Sequence, residues 1–220
     1  MSQTSPGLFV VFEGGDGAGK STQVAWLAAS LEAAGIPHLV TFEPGATWLG
    51  TRVRDLVLNP ASGPICPPAE ALLYIADKAQ HVTEVVEPAL AAGQVVVCDR
   101  YTDSVIAYQG AGRELDGRDP RLADIAAWAT GGRRADLTVL LDADPGEAVA
   151  AIADKDRLEG AGLALHRRAR ERFLALAAAD PSRYLVLAAR SPRELIAAAV
   201  RDRLTAFGLK LSAPPGMMSS

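Results

Sequence analysis

Residues 12–22 read FEGGDGAGKST. The spacing G-x-x-x-x-G-K-[ST] is met by Gly14, Gly19, Lys20 and Ser21, directly after an apolar run, LFVVFEG, and directly before a stretch that predicts a helix. Glycines let the chain turn so that successive backbone N–H groups point inward, and a helix N-terminus adds partial positive charge. Gly14, Gly15, Asp16, Gly17, Ala18, Gly19, Lys20, Ser21 and Thr22 are therefore candidates to hold the phosphates of a nucleotide. Lys20 is expected to reach the β- and γ-phosphates, and the Ser21 hydroxyl to ligate Mg²⁺. A glycine-rich turn without a ligand is the competing reading. Asp16 is out of character in a loop built for anions. Its charge is costly unless a hydroxyl, a metal ion or an arginine meets it, or unless it faces solvent and caps the turn.

Working outward, short apolar runs at 8–12, 38–43, 94–99, 137–142 and 183–189 predict strands. Longer alanine- and leucine-rich stretches at 19–34, 47–58, 67–91, 102–111, 119–130, 145–153, 160–178 and 191–207 predict helices. Apolar strands joined through helices point to α/β architecture, a parallel five-stranded sheet covered on both faces. Neither an internal repeat nor a linker divides the chain, so one domain over 1–220 is expected, with a core at about 8–207 and flexible tails at 1–6 and 212–220.

The formal net charge of −4, with no basic block, removes weight from a general nucleic-acid binder, which needs a lysine and arginine surface. A phosphorylated small molecule needs only a few converging arginines. The two cysteines lie far apart: Cys98 in VVVCD reads as a buried thiol and Cys66 in PICPP as a loop residue. MSQTSPG is not a secretory start and no run is long enough to span a membrane, so a cytoplasmic protein is expected.

VVVCDR ends a predicted core strand on Asp99 and Arg100. An acid at such a strand tip holds Mg²⁺ in P-loop enzymes, with Ser21 as its companion ligand here. A guanidinium beside it suits a second phosphate, because its fork matches phosphate oxygens in pairs. A surface ion pair between neighbours is the bland alternative.

With FEGGDGAGKST, EPGATWLG, LLYIADKAQH, VVVCDRYTDSVIAYQGAGR and DKDRLEGAG in order, residues 8–207 resemble bacterial thymidylate kinases. The resemblance implies the three-layer P-loop nucleoside monophosphate kinase fold with a short lid, ATP- and Mg²⁺-dependent phosphorylation of dTMP to dTDP, and a homodimer. It implies that Asp16 meets the deoxyribose 3′-hydroxyl and that Tyr74 stacks on thymine. Arg100 would clamp the dTMP phosphate, with Arg54 reaching it as well. Ser104 and Gln109 would face the pyrimidine, Tyr108 would crowd out a 2′-hydroxyl, and Glu43 and Pro44 would flank the acceptor. Tyr74 and Tyr108 could equally fill the core, and Glu43 could be a solvated strand end.

Three departures from the family stand out. EPGAT has Ala46 where glycine is common; Lys78 replaces an arginine, offering a point charge toward the thymine end; and the lid is poor in basic residues. Lys155 and Arg157 are the nearby candidates, with Arg157 expected to join Lys20, Arg100 and Asp16 in catalysis. Arg167, Arg168 and Arg170 could compensate or form a solvated helix face, where His166 is also expected. The rival readings are a kinase of another small acceptor such as a deoxynucleoside, a family member that binds dTMP with little turnover, and a GTPase-type switch. LLDADPG lacks the lysine of a guanine-reading segment, which counts against the last.

Overall fold

The computed structural model describes residues 7–113, 121–146 and 162–213. Within them, β1 (Leu8–Gly14), β2 (His38–Phe42), β3 (Val95–Asp99), β4 (Leu137–Asp142) and β5 (Tyr184–Ala188) form one parallel sheet, ordered β2-β3-β1-β4-β5. The helices are α1 (Lys20–Ala33), α2 (Trp48–Leu58), α3 (Pro67–His81), α4 (Glu87–Ala91), α5 (Thr102–Val105), α6 (Arg121–Ala129), α7 (Leu163–Ala179) and α8 (Arg193–Leu204). All five strands coincide with apolar runs seen in the sequence.

Strand side chains alternate between faces, so β1 feeds two cores. Val10 and Phe12 pack with Leu27 and Leu31 of α1 and with Ile196, Val200 and Leu204 of α8. Phe9 and Val11 point the other way, into a cluster with Val82, Val86, Val96, Cys98 and Tyr101. A third cluster sets Leu140 against Leu165, Ala169 and Phe173 of α7 and against Tyr108. Cys98 is buried and Cys66 exposed, both as free thiols, in keeping with the sequence.

Register decides where the site falls. Phe12 lies opposite Asp99 and Gly14 opposite Leu141, so β1, β3 and β4 end at one edge. β1 sits between β3 and β4, where the connections change direction, and ligands of open α/β sheets sit beyond the strand tips at such a point. Gly14 has φ 134, and a Cβ there would lie 2.3 Å from the Leu141 carbonyl oxygen, so only glycine fits.

Two predicted helices are broken by wider turns. The stretch 67–91 is α3, a π-helical segment Val82–Val86 and then α4, with the Glu87 N–H donating to the Val82 carbonyl. Pro88 has no N–H with which to continue an ordinary i→i−4 ladder. The stretch 102–111 is the single turn α5 followed by a π-helical segment Ile106–Gly112, closed by the Arg113 N–H on the Tyr108 carbonyl at 2.9 Å. Of the expected helix at 145–153, residues 145–146 are described as its helical start; residues 147–153 and both tails beyond residues 7–213 fall outside the described residues.

Candidate active site

The loop after β1 reaches α1 through Gly17 and Gly19, both with left-handed φ (72° and 89°). Lys20 opens α1 nearly buried, its Nζ donating to the carbonyls of Gly15 (2.8 Å) and Gly14 (3.2 Å). Burial and the neighbouring Arg100 depress its pKa to about 8, against the pull of Asp16, Asp99 and Glu13. The Ser21 hydroxyl donates to Asp99 at 2.7 Å, so the two oxygen donors expected to hold a metal are already side by side. Among the described residues no group of three or more His, Cys, Asp and Glu side chains is placed to hold a metal ion by itself. A hydroxyl and one carboxylate are too few for a zinc or calcium cage but fit Mg²⁺, which keeps waters and takes phosphate oxygens for the rest of its shell.

Arg100 answers the question posed by Asp16. Its guanidinium forms an ion pair with the Asp16 carboxylate and donates to the Gly14 carbonyl and Ser104 Oγ, both at 3.2 Å, and it lies 5.3 Å from the Tyr108 ring centroid. Tyr108 Oη points at the second Asp16 oxygen at 3.5 Å. Burial works against ionisation at Asp16, but Arg100, then Lys20 and His166, outweigh it and hold the carboxyl below its usual range. Among the described residues Arg100 is the one non-glycine with positive φ (70°), a strained backbone at the meeting point of loop and strand.

Beneath this pair lies a residue the sequence reading passed over. Glu13 is fully buried; Oε1 accepts the N–H groups of Tyr101 (2.8 Å) and Ser104 (3.1 Å), and Oε2 accepts the Ser104 hydroxyl (2.7 Å). Burial and the nearby Asp103 push its pKa up to about 7, with Arg100 opposing. The signal was an acid interrupting an apolar strand at its tip, where no surface is available to it.

A cavity of about 640 Å³ opens beside the loop, and all ten residues assigned to the acceptor line it, together with Leu58 and Val105. Several are already engaged. Lys78 is buried in an ion pair with Glu43 while it also lines the cavity. Glu43 is therefore no solvated strand end: it also accepts from His81 Nδ1 (2.7 Å), whose Nε2 pairs with Thr41 Oγ1 (2.7 Å). Burial opposes ionisation at Glu43, but Lys78 and His81 outweigh it and lower its pKa. Asp77 accepts the Gly45 N–H at 3.1 Å, and Arg54 donates to the Pro44 carbonyl at 2.8 Å. The 43–45 loop is thus tied down from both α2 and α3. Ala46 does not have a positive φ, which Gly45 does (123°), so alanine at 46 carries no backbone penalty. Tyr74 and Tyr108 both line the cavity and belong to hydrophobic clusters; core filling and lining are one placement, not alternatives.

A larger cleft of about 1070 Å³ runs along Lys20, Ser21, Asp99 and β2, and shares Asp16, Glu43, Arg54 and Arg100 with the first cavity. On the other side of the loop a recess of about 380 Å³ is lined by Gly14, Gly15, Asp142, His166 and Arg170. His166 is buried there, 6.1 Å from the Tyr108 ring, which corrects its expected place on the helix surface. Arg170 forms a two-pronged ion pair with Asp142 (2.6 and 2.9 Å), and Arg168 donates to the carbonyls of Ala111 and Gly112. The basic run of α7 is therefore partly interior, not only a solvated face. Arg157 and Lys155 lie outside the described residues.

Residues 12–200 match the sequence profile of thymidylate kinases. The chain is 62% identical over 199 residues to a thymidylate kinase of Cutibacterium acnes, covering 90% of this chain and 97% of that one. It is 54% identical over 180 residues to the thymidylate kinase of Deinococcus radiodurans, covering 80% and 86%. Among solved structures it is similar to the thymidylate kinase of Ehrlichia chaffeensis, with a TM-score of 0.74 and 29% identity over 91% of this chain and all of that one.

Proposed function

The chain belongs to the thymidylate kinase family, phosphorylating dTMP to dTDP with ATP as donor, and we propose that it does so across the two cavities that meet at Asp16 and Arg100. The observation that carries this reading is that shared boundary. One cavity borders the loop at Gly17, Lys20 and Ser21, the other an aromatic slot at Tyr74 and Tyr108, and the side chains of Asp16, Glu43, Arg54 and Arg100 line both.

In the transfer, the bond between the γ-phosphorus and the bridging oxygen of ADP breaks as a bond to a dTMP phosphate oxygen forms. That acceptor oxygen is already anionic, so no base is needed and positioning with charge neutralisation carries the catalysis. The loop amides and Lys20 hold the donor phosphates, and Arg100 with Arg54 holds the acceptor phosphate. Arg157, from the lid, is proposed to add charge to the migrating group. Ser21 and Asp99 would hold Mg²⁺, which supplies neutralisation of the phosphate oxygens. Tyr74 would stack on the base while Ser104 and Gln109 meet its edge; Pro44 and the Glu43–Lys78 pair close that end.

The deciding experiment is ADP release with a panel of acceptors: dTMP, thymidine, dUMP, dCMP and dGMP. dTMP is expected to give the highest rate, and absence of stimulation by dTMP defeats the proposal. Turnover of thymidine above dTMP would support the deoxynucleoside rival, although two arginines in the acceptor cavity would then have no phosphate to meet. Including ribo-TMP tests Tyr108. Replacement by Phe keeps the ring and is expected to leave its exclusion intact, whereas Tyr108→Ala admits it, about tenfold or more better than wild type. Equal discrimination by both variants would refute the steric account.

We also propose a homodimer. α3 packs between α2 and α6, and Leu56, Leu72, Ile125 and Trp128 stand exposed on these three helices, Trp128 by 82%. Sedimentation is expected to give twice the chain mass. A cytoplasmic setting is part of the same reading: two free thiols suit a reducing compartment, and among the described residues no helix is long and apolar enough to cross a membrane. Cell fractionation tests it.

A further inference from the structure

Gln109 lines the acceptor cavity from the π-helical segment, but its amide is not free to choose which edge it presents there. Nε2 donates to Glu70 Oε1 at 3.1 Å, and both residues are almost completely buried. Glu70 is itself gripped by the Arg113 guanidinium, through Nε to Oε1 at 3.0 Å and NH2 to Oε2 at 3.1 Å. A carboxylate in an ion pair is an acceptor on both oxygens. It can therefore face only the NH₂ side of an amide, and the carbonyl side must point elsewhere. Among the described residues no hydrogen bond engages Gln109 Oε1. The two edges of an amide have nearly the same shape, so without such a partner neither orientation would be favoured.

We propose that Glu70 is a positioning residue for base selection. Held by Arg113, it orients the Gln109 amide so that an acceptor, Oε1, faces the base. A ring N–H satisfies that acceptor, as the N3–H of thymine or uracil does. Cytosine carries a lone pair at N3, and two acceptors opposed in a buried site leave both without a proton. The inference rests on the dTMP reading and deepens it, assigning part of the pyrimidine choice to an acid that touches no ligand. The geometry comes from two elements: α3 supplies Glu70, while Gln109 and Arg113, four residues apart around the widened turn, converge on it.

The test is the ratio of kcat/KM for dTMP to that for dCMP in wild type, Glu70→Gln, Gln109→Met and the Glu70→Gln/Gln109→Met pair. Glu70→Gln keeps the shape but lets the Gln109 amide turn over, so the ratio is expected to fall about tenfold or more. In the Gln109→Met background the same substitution is expected to change the ratio no further. A purely structural role would lower both rates together. An unchanged ratio in folded Glu70→Gln overturns the proposal, as does an equal fall in the Met background. If Glu70→Gln does not fold, the Glu70→Gln/Arg113→Gln variant removes both charges of the pair and carries the same prediction. A wild-type enzyme with no preference for dTMP over dCMP would instead overturn the acceptor reading, and this proposal with it.

Discussion

Lys20→Ala is expected to lower kcat for ATP-dependent phosphorylation of dTMP by about a thousandfold or more, with the protein still folded. The loop turns would remain available, because Gly14, Gly17 and Gly19 adopt their positive φ without a side-chain penalty. What disappears is the positive charge that rests on the carbonyls of Gly14 and Gly15 and is proposed to neutralise phosphate oxygens as charge develops. The same residue sets a pH dependence. Its pKa is pushed down to about 8, so the ammonium is intact at neutral pH and is lost as pH rises through that value. On the proposed role of Lys20 ATP binds the charged form, so its Kd is expected to rise above about pH 8, by up to tenfold per pH unit. Calorimetric titrations at pH 7 to 9.5 measure this, with Lys20→Arg as the control that keeps its charge. A Kd equally flat in both proteins would show that Lys20 does not titrate there.

What could be read from the chain were features whose causes are local in sequence. A left-handed or crowded backbone demands glycine, so the loop was visible. Unbroken apolar runs demand burial on both faces, so all five strands were visible. His166 could have been read too. Residues 166, 169 and 173 stand at i, i+3 and i+7, one helix face, and Ala169 and Phe173 are buried with it. The density of arginines in LHRRARERF obscured that stripe. The Glu43–Lys78–His81–Thr41 network was out of reach for a different reason. Its members lie 35 to 40 residues apart and meet only because β2 and α3 pack, so no pattern in either segment announces the partner. Glu13 and Glu70 are of the same kind. Their charges are costly to bury and are settled by groups contributed from elsewhere in the fold. Lys78 shows the consequence for function. As a departure in sequence it suggested a weakened contact to the base, whereas in the fold it also fixes the buried Glu43 carboxylate.

At Arg100 the effects on catalysis and on stability are expected to follow different orders. Arg100→Gly and Arg100→Ala are both expected to cut dTMP phosphorylation by about a thousandfold or more, since each removes the guanidinium proposed to hold the acceptor phosphate. Arg100→Lys keeps a charge but not the fork, and should fall between them and wild type. Stability should follow a different order. The residue sits at φ 70°, a conformation that costs a side-chain-bearing residue about 1 kcal/mol and glycine almost nothing. Both truncations lose the Asp16 ion pair and the bonds to Gly14 and Ser104 equally. Whatever that loss costs cancels between them, and the glycine variant should be the more stable by roughly 1 kcal/mol. Urea denaturation of the two variants measures the difference directly. If alanine proved as stable as glycine, position 100 would not be strained, and the left-handed turn that aims Arg100 across the loop at Asp16 would have to be abandoned as the device that brings the two phosphate sites together.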